Sequence, residues 1–294
     1  METIQYQGLD CVALENASLS LLVTQSVGPR ILSLRYKGGE NLFAELPNFV
    51  SERPDGQLFH FRGGHRLWHA PEAMPRTYAP DDDPVEITPA EGGLLARQKA
   101  NAETGIEKSL YISLVGDQPR VIVRHMLTNR GLWPIECAPW AITQFRTGGV
   151  AILPQSRQET NMLPNRSLAL WQYTDLTIPQ VTWGNRYLLI RAEMTGPFKV
   201  GFPNPRGWLA YWLEDTLFVK RAAFDASVTY YDFGSSSECY CNDKFLELET
   251  LAPIHRLEPG GSAEHVEDWD VYAGVDYPAD EDAAQAIADK LGLE

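Results

Sequence analysis

Apolar and β-branched residues recur in short runs along the whole chain. The runs at 19–24, 30–36, 94–97, 108–114, 120–127, 150–153, 187–192, 208–213, 217–221, 227–233, 245–251 and 264–272 have the length and composition of strands. Turn-forming stretches separate them: KGGEN at 37–41, GDQP at 116–119, NRG at 129–131, PNPRG at 203–207, EDT at 214–216 and EPGG at 258–261. Only 281–291 reads as a helix, with Ala284, Ile287, Ala288 and Leu291 on one stripe and acidic residues at its start. No repeat of fixed period is present. About a dozen strands without alternating helices predict an all-β protein of mainly antiparallel sheets, closed by a short C-terminal helix. No Ser/Gly-rich linker breaks the pattern, so residues 1–294 are expected to form one domain. Residues 71–93 carry the strongest loop composition.

Composition narrows the function classes. The 31 aromatic residues, with 23 Gly and 20 Pro, suit many strands joined by turns better than a helical bundle. A net charge of −14 repels polyanions, so neither nucleic acid nor an anionic membrane surface is expected as a general partner. No apolar run approaches the roughly 18 residues of a membrane span, and the first residues lack a basic-then-apolar leader. Cys11, Cys137, Cys239 and Cys241 lack metal-knuckle spacing, and Cys239 and Cys241 would share one strand face. Reduced, buried cysteines and a cytoplasmic location are the expectation.

The densest polar cluster is FHFRGGHRLWHAPE at 59–72, which holds His60, His65, His69, Arg62, Arg66, Trp68 and Glu72. A metal site of His65, His69 and Glu72 would need a helix, for which Gly63, Gly64 and Pro71 leave little room, and no HExxH pattern exists. Two other readings compete. Arg62 and Arg66 offer planar forks, the histidines donors or acceptors, and Trp68 a stacking face for a hydroxyl-rich or anionic ligand. The same groups could instead tie down a long loop. Asp81, Asp82 and Asp83 read as a solvated loop tip rather than a calcium site. No cofactor is expected.

In the run 245–251, alternation places Glu247 and Glu249 on one face, roughly 7 Å apart by strand rise. Crowded carboxylates raise each other's proton affinity, which suits acid–base work near neutral pH. A solvated face is the plain alternative. Trp208, Ala210 and Trp212 share a face that serves either as core filling or as a stacking platform, core being the commoner fate. His125 reads as an interior or sheet-face histidine, and His255 and His265 as peripheral.

Four segments in order, GPRILSLRYKGGENLF (28–43), GGHRLWHAPE (63–72), VIVRHMLTNRGLWPIECAPWAITQF (121–145) and LELETLAP (246–253) with LEPGGSAEHVEDWDVY (257–272), resemble the galactose mutarotase-like, or aldose 1-epimerase-like, superfamily. The resemblance spans about residues 10–273 and implies a β-supersandwich. It implies a small saccharide as partner, free or phosphorylated, and anomer interconversion by acid–base ring opening as the activity. It puts the catalytic base at Glu249. The family's acid is a histidine on the strand after the Thr-Asn-x-Gly turn, but 136–145 contains none and carries Trp140, Thr143 and Gln144 instead. His65 or His69 would then supply the acid, or the site binds sugar without epimerising it. A lyase or another sugar-modifying activity on the same scaffold is a third reading. Glu249, Arg66, His65 and His69 are expected on one concave surface, with Arg62, Trp68, Glu72, Glu247, Gln144 and Trp140 contacting substrate. Oligomeric state is not legible.

Overall fold

Two large antiparallel sheets pack face to face, as the alternating runs require once each buries one face. The computed structural model describes residues 2–293. The larger sheet has eleven strands, ordered Thr3–Tyr6, Leu9–Glu15, Leu19–Thr24, Arg30–Tyr36, His65–Ala70, Ile135–Phe145, Leu246–Leu251, Ser237–Cys241, Phe198–Phe202 and Ala169–Leu170, with His255–Leu257 paired to the start of Ile135–Phe145. The second sheet has ten, with Ser262–Ala273 central between Thr216–Ala222 and Arg120–Asn129. A separate hairpin, Glu45–Glu52 with Leu58–Gly63, lies outside both sheets. The fold is the all-β supersandwich expected.

Aromatic residues fill the space between the sheets. Phe43 makes edge contacts with Phe145 and Trp269 at ring separations of 5.6 and 5.9 Å, and Phe218 closes the group on Trp269 at 5.5 Å. The C-terminal helix Glu281–Leu291 starts at Asp280, whose carboxylate accepts from the Ala283 N–H, and ends at Gly292 in the left-handed region. It buries Ala284, Ile287 and Ala288 against Trp208, Ala210 and Val150 on the outer face of the second sheet. Trp208 is therefore core filling, and Trp212 donates its indole N–H to the Val275 carbonyl beside the helix.

Several expectations need correction. The run 227–233 is not a strand: it is loop and a single turn, Tyr231–Gly234, with Asp232 and Phe233 at φ 50° and 59°. The loop-like segment 71–93 contains the edge strand Glu86–Ala90. His265 is buried between the sheets rather than peripheral. All four cysteines are free and buried, as their spacing predicts.

Candidate functional site

The motif GGHRLWHAPE enters the larger sheet through two glycines that no other residue could replace without strain. Gly63 and Gly64 take φ +86° and +71°, and a Cβ on either would run into a backbone carbonyl, of Ala44 and Ile31 respectively. The chain then continues as the strand His65–Ala70, not a helix, so the pleat sends successive side chains to opposite faces.

That alternation separates the predicted residues. His65, Leu67 and His69 turn inward between the sheets, while Arg66, Trp68 and Ala70 turn outward. The two histidines thus lie on the opposite face from Glu249, and the expected convergence of Glu249 and Arg66 with His65 and His69 does not occur. Inside, His65 Nε2 meets His125 Nε2 at 2.7 Å, and its Nδ1 meets Thr143 Oγ1 at 2.9 Å. His125 donates from Nδ1 to the His265 carbonyl at 3.0 Å, which leaves its Nε2 as acceptor and makes His65 Nε2 the donor. Glu267 completes this layer, paired with Lys220 at 2.8 Å and receiving the Trp269 indole N–H at 2.8 Å. Although His65, His125 and Glu267 converge closely enough to hold a metal ion, the Lys220 ammonium on Glu267 already supplies a positive charge there. His69 is buried without a hydrogen-bond partner for either ring nitrogen.

Across the outer face, register aligns residues from five adjacent strands. Arg66 stands opposite Ile142, Gln144 opposite Glu247, Glu249 opposite Glu238, and Tyr240 opposite Lys199. Arg66 pairs with Glu247 at 3.0 Å and lies over the Trp68 ring at 4.3 Å. The hairpin 45–63 covers this part, with Phe61 against Arg66 and Phe49 against Phe61 and Phe245. Burial pushes the Glu247 carboxyl up to about 7 against the pull of Arg66, and the charge on Glu249 adds to it.

Glu249 and Glu238 are fully buried and directly opposed, an arrangement of like charges that needs a counterion. Lys199 provides it. Its ammonium lies 2.7 Å from Glu238 Oε2 and 3.0 Å from Glu249 Oε2. It also sits between the rings of Trp140 and Trp171, 4.8 and 4.7 Å from their centroids. Trp140 donates its indole N–H to Glu249 Oε2 at 2.8 Å. Burial works against the Lys199 charge, but Glu238 and Glu249 outweigh it and hold the ammonium well above the usual lysine range. Two buried carboxylates share this one cation, and burial beside Glu249 drives Glu238 well above the usual carboxylate range.

Above this triad opens a cleft of about 370 Å³ lined by Trp140, Trp171, Lys199, Glu72, Tyr78 and Asp232. Glu72 is exposed at its mouth and accepts from the Tyr78 hydroxyl. Lys199 has three N–H donors and two carboxylate partners, so one donor remains for a cleft ligand. Other unmet hydrogen-bonding capacity gathers on the same sheet face: Glu238 Oε1, Glu249 Oε1, both amide atoms of Gln144, and Nε and Nη1 of Arg66. Arg62 is not part of it. Its guanidinium holds Asp81 at 3.1 Å and also Asp82, and Arg30 holds Asp81 from the other side at 2.8 Å. This explains the DDDP segment, whose first carboxylate is a buried counterion.

Of the predicted residues, Trp140 and Glu72 line the cleft, Glu249 lies directly beneath it, and Arg66, Trp68, Gln144 and Glu247 share its sheet face under the hairpin. Lys199, Glu238, Trp171 and Asp232 were not singled out from sequence. A signal existed for two of them: Lys199 is the lone charge in FKVGF, and Glu238 stands amid small and thiol side chains in SECYC.

No protein-family model and no curated protein sequence matches the chain. Solved structures do match in fold. A galactose mutarotase-like protein from Lactobacillus casei aligns with TM-score 0.60 at 13% identity, over 89% of this chain and 100% of that one. A candidate aldose 1-epimerase from Escherichia coli K12 aligns with TM-score 0.57 at 12% identity, over 90% and 100%. A TPR-domain containing protein from Parabacteroides distasonis gives TM-score 0.63 at 14% identity, but the 93% of this chain that aligns spans only 49% of that protein. The chain has the fold of the galactose mutarotase-like, aldose 1-epimerase-like proteins.

Proposed function

We propose that the chain binds a small saccharide in the cleft over Lys199, Trp140 and Trp171. One observation carries this reading: the cleft sets the rings of Trp140 and Trp171 beside the Lys199 ammonium, which has one N–H beyond its two carboxylate partners. A pyranose offers the complement, with hydroxyls for fixed polar groups and an apolar face for an indole. The third N–H of Lys199 donates to a ligand oxygen, and Trp140 or Trp171 stacks on the ring. The mutarotase-like fold supports a sugar as the ligand class, although fold alone does not fix chemistry.

A second reading, interconversion of anomers, has its own support. Glu249 occupies the position the resemblance gives to the base, and Glu247 on the same face is pushed up to about 7, where a carboxyl both gives and takes protons. Against it stands the engagement of Glu249 Oε2 by both Lys199 and Trp140, which occupies that oxygen with two donors. Among the described residues, no histidine lines the cleft to serve as acid. Binding without turnover is therefore the reading the geometry supports best.

Calorimetric titration with a hexose and pentose panel, paired with anomer exchange followed by NMR, tests both readings. Binding with exchange rates equal to those without protein is the expected result. Accelerated exchange that is lost in Glu249→Gln would replace it with the isomerase reading. No binding by any sugar would overturn both.

A further inference from the structure

The described charged residues that line the cleft are one lysine and two carboxylates. Lys199 is the one cation among the described residues lining the cleft, and Glu238 and Glu249 already neutralise it. Glu72 from the loop after His65–Ala70 and Asp232 from the turn Tyr231–Gly234 bring two more carboxylates to the same cleft from separate segments. Asp232 is close enough to Glu238 to raise that carboxyl's proton affinity, so its charge reaches the floor of the site. None of the arginines nearest in sequence to the motif lines the cleft. Arg66 is held by Glu247, Arg62 by Asp81 and Asp82, and Arg76 donates to the Pro71 carbonyl. Among the described residues lining the cleft there is no arginine to receive a phosphate.

We propose that the cleft selects amino sugars, bound in their ammonium form, over the parent sugars, and rejects sugar phosphates. The inference rests on the sugar-binding reading and adds the ligand's charge. The ammonium of the ligand is received at the mouth by Glu72 and Asp232, beside the aromatic faces of Trp171 and Tyr78, a setting that favours an organic cation on two counts. The already neutralised Lys199 stays at the floor as a hydrogen-bond donor to a ring or hydroxyl oxygen. A phosphate would meet the same two carboxylates with no arginine fork to offset them.

The test is calorimetric titration at pH 7 and low salt with glucose, galactose and mannose, their 2-amino forms and their 6-phosphates. At least one amino sugar is expected to bind about tenfold or more tightly than its parent, and the phosphates about tenfold or more weakly. In a variant combining Glu72→Gln and Asp232→Asn, the ratio of amino-sugar to parent-sugar affinity, read within the variant itself, should collapse to about threefold or less. Asparagine suits the left-handed backbone at 232, so this variant keeps the turn. Equal binding of parent and amino sugars, a phosphate that binds as well as its parent, or a preference that survives in the variant each overturns the inference while leaving sugar binding intact. Failure of every sugar to bind overturns the sugar reading and the inference with it.

Discussion

Lys199 Nζ sits 3.0 Å from Glu249 Oε2, so the carboxylate that the resemblance marks as a base is held by a cation two strands away. The same ammonium reaches Glu238 at 2.7 Å, and all three side chains are buried. Removing the cation leaves two opposed carboxylates in a dry site. Lys199→Met is expected to cost about 3–5 kcal/mol of stability, the usual penalty for stripping one partner from a buried ion pair. Urea denaturation at pH 7 measures it. Adding Glu238→Gln should recover part of the loss, because one orphaned charge is then gone; no recovery would mean that Lys199 acts through packing alone.

Trp171 separates recognition from folding. It is only half-buried, in a loop, and presents its ring to both the Lys199 ammonium and the cleft. Trp171→Ala should weaken sugar affinity by roughly tenfold, about 1.4 kcal/mol, while changing stability by no more than about 1 kcal/mol. Titration and melting of the same preparation distinguish the two. An unchanged affinity would move the ligand off this face.

Apolar runs bounded by turns, and one helical stripe, gave several elements whole: 19–24, 30–36, 208–213 and the helix 281–291 match the structure residue for residue. The same signal failed for short strands, as with Phe198–Phe202, where Phe198, Val200 and Phe202 alternate with Lys199 and Gly201 over only five residues, and Ala169–Leu170. The glutamates of 246–251 were legible because charges on a strand between apolar residues are conspicuous. The histidines misled because a dense polar motif reads as one site, whereas a strand divides its residues between two faces. Lys199 was missed because its partners are 39 and 50 residues away in sequence, and only sheet register brings them together.

Gly63 tests why the motif opens with paired glycines. Its φ of +86° and the Ala44 carbonyl against its missing side chain leave no room for a methyl group. Gly63→Ala should destabilise by about 2–4 kcal/mol, combining backbone strain with a clash against main chain rather than a movable side chain. Gly38→Ala is the control: its φ is also positive, at +72°, but nothing lies within 4 Å of the added Cβ. It should cost only about 1–2 kcal/mol, the left-handed penalty alone. Equal losses in chemical denaturation would show that packing at Gly63 contributes nothing.

The interior histidines set the response to acid. Burial holds His65 and His69 well below the ordinary 6.5, lowers His125, and brings His265 down to about 3. The unfolded chain takes up protons at these groups as pH falls through 6.5, while the folded chain does not, so stability is full above that value and declines below it. Glu267 acts in the same direction at lower pH: Lys220 outweighs burial and depresses its carboxyl, and that contribution is lost once the folded group protonates. Glu247 opposes the trend. Its folded value of about 7 lies above the ordinary 4.5, so it favours the folded state increasingly as pH drops from 7 toward 4.5. Glu238, driven well above the usual carboxylate range by burial, opposes the trend in the same way, and four histidines against two glutamates still leave a net loss. Each uncompensated proton contributes about 1.4 kcal/mol per pH unit, giving a slope of about 1–4 kcal/mol per unit between pH 6 and 5. Urea midpoints collected from pH 7.5 to 5 should fall accordingly, and Glu247→Gln should make the fall steeper by removing one opposing proton. A flat profile would mean that these imidazoles take up protons in the folded protein, and a shallower one in Glu247→Gln would reverse the sign assigned to Glu247.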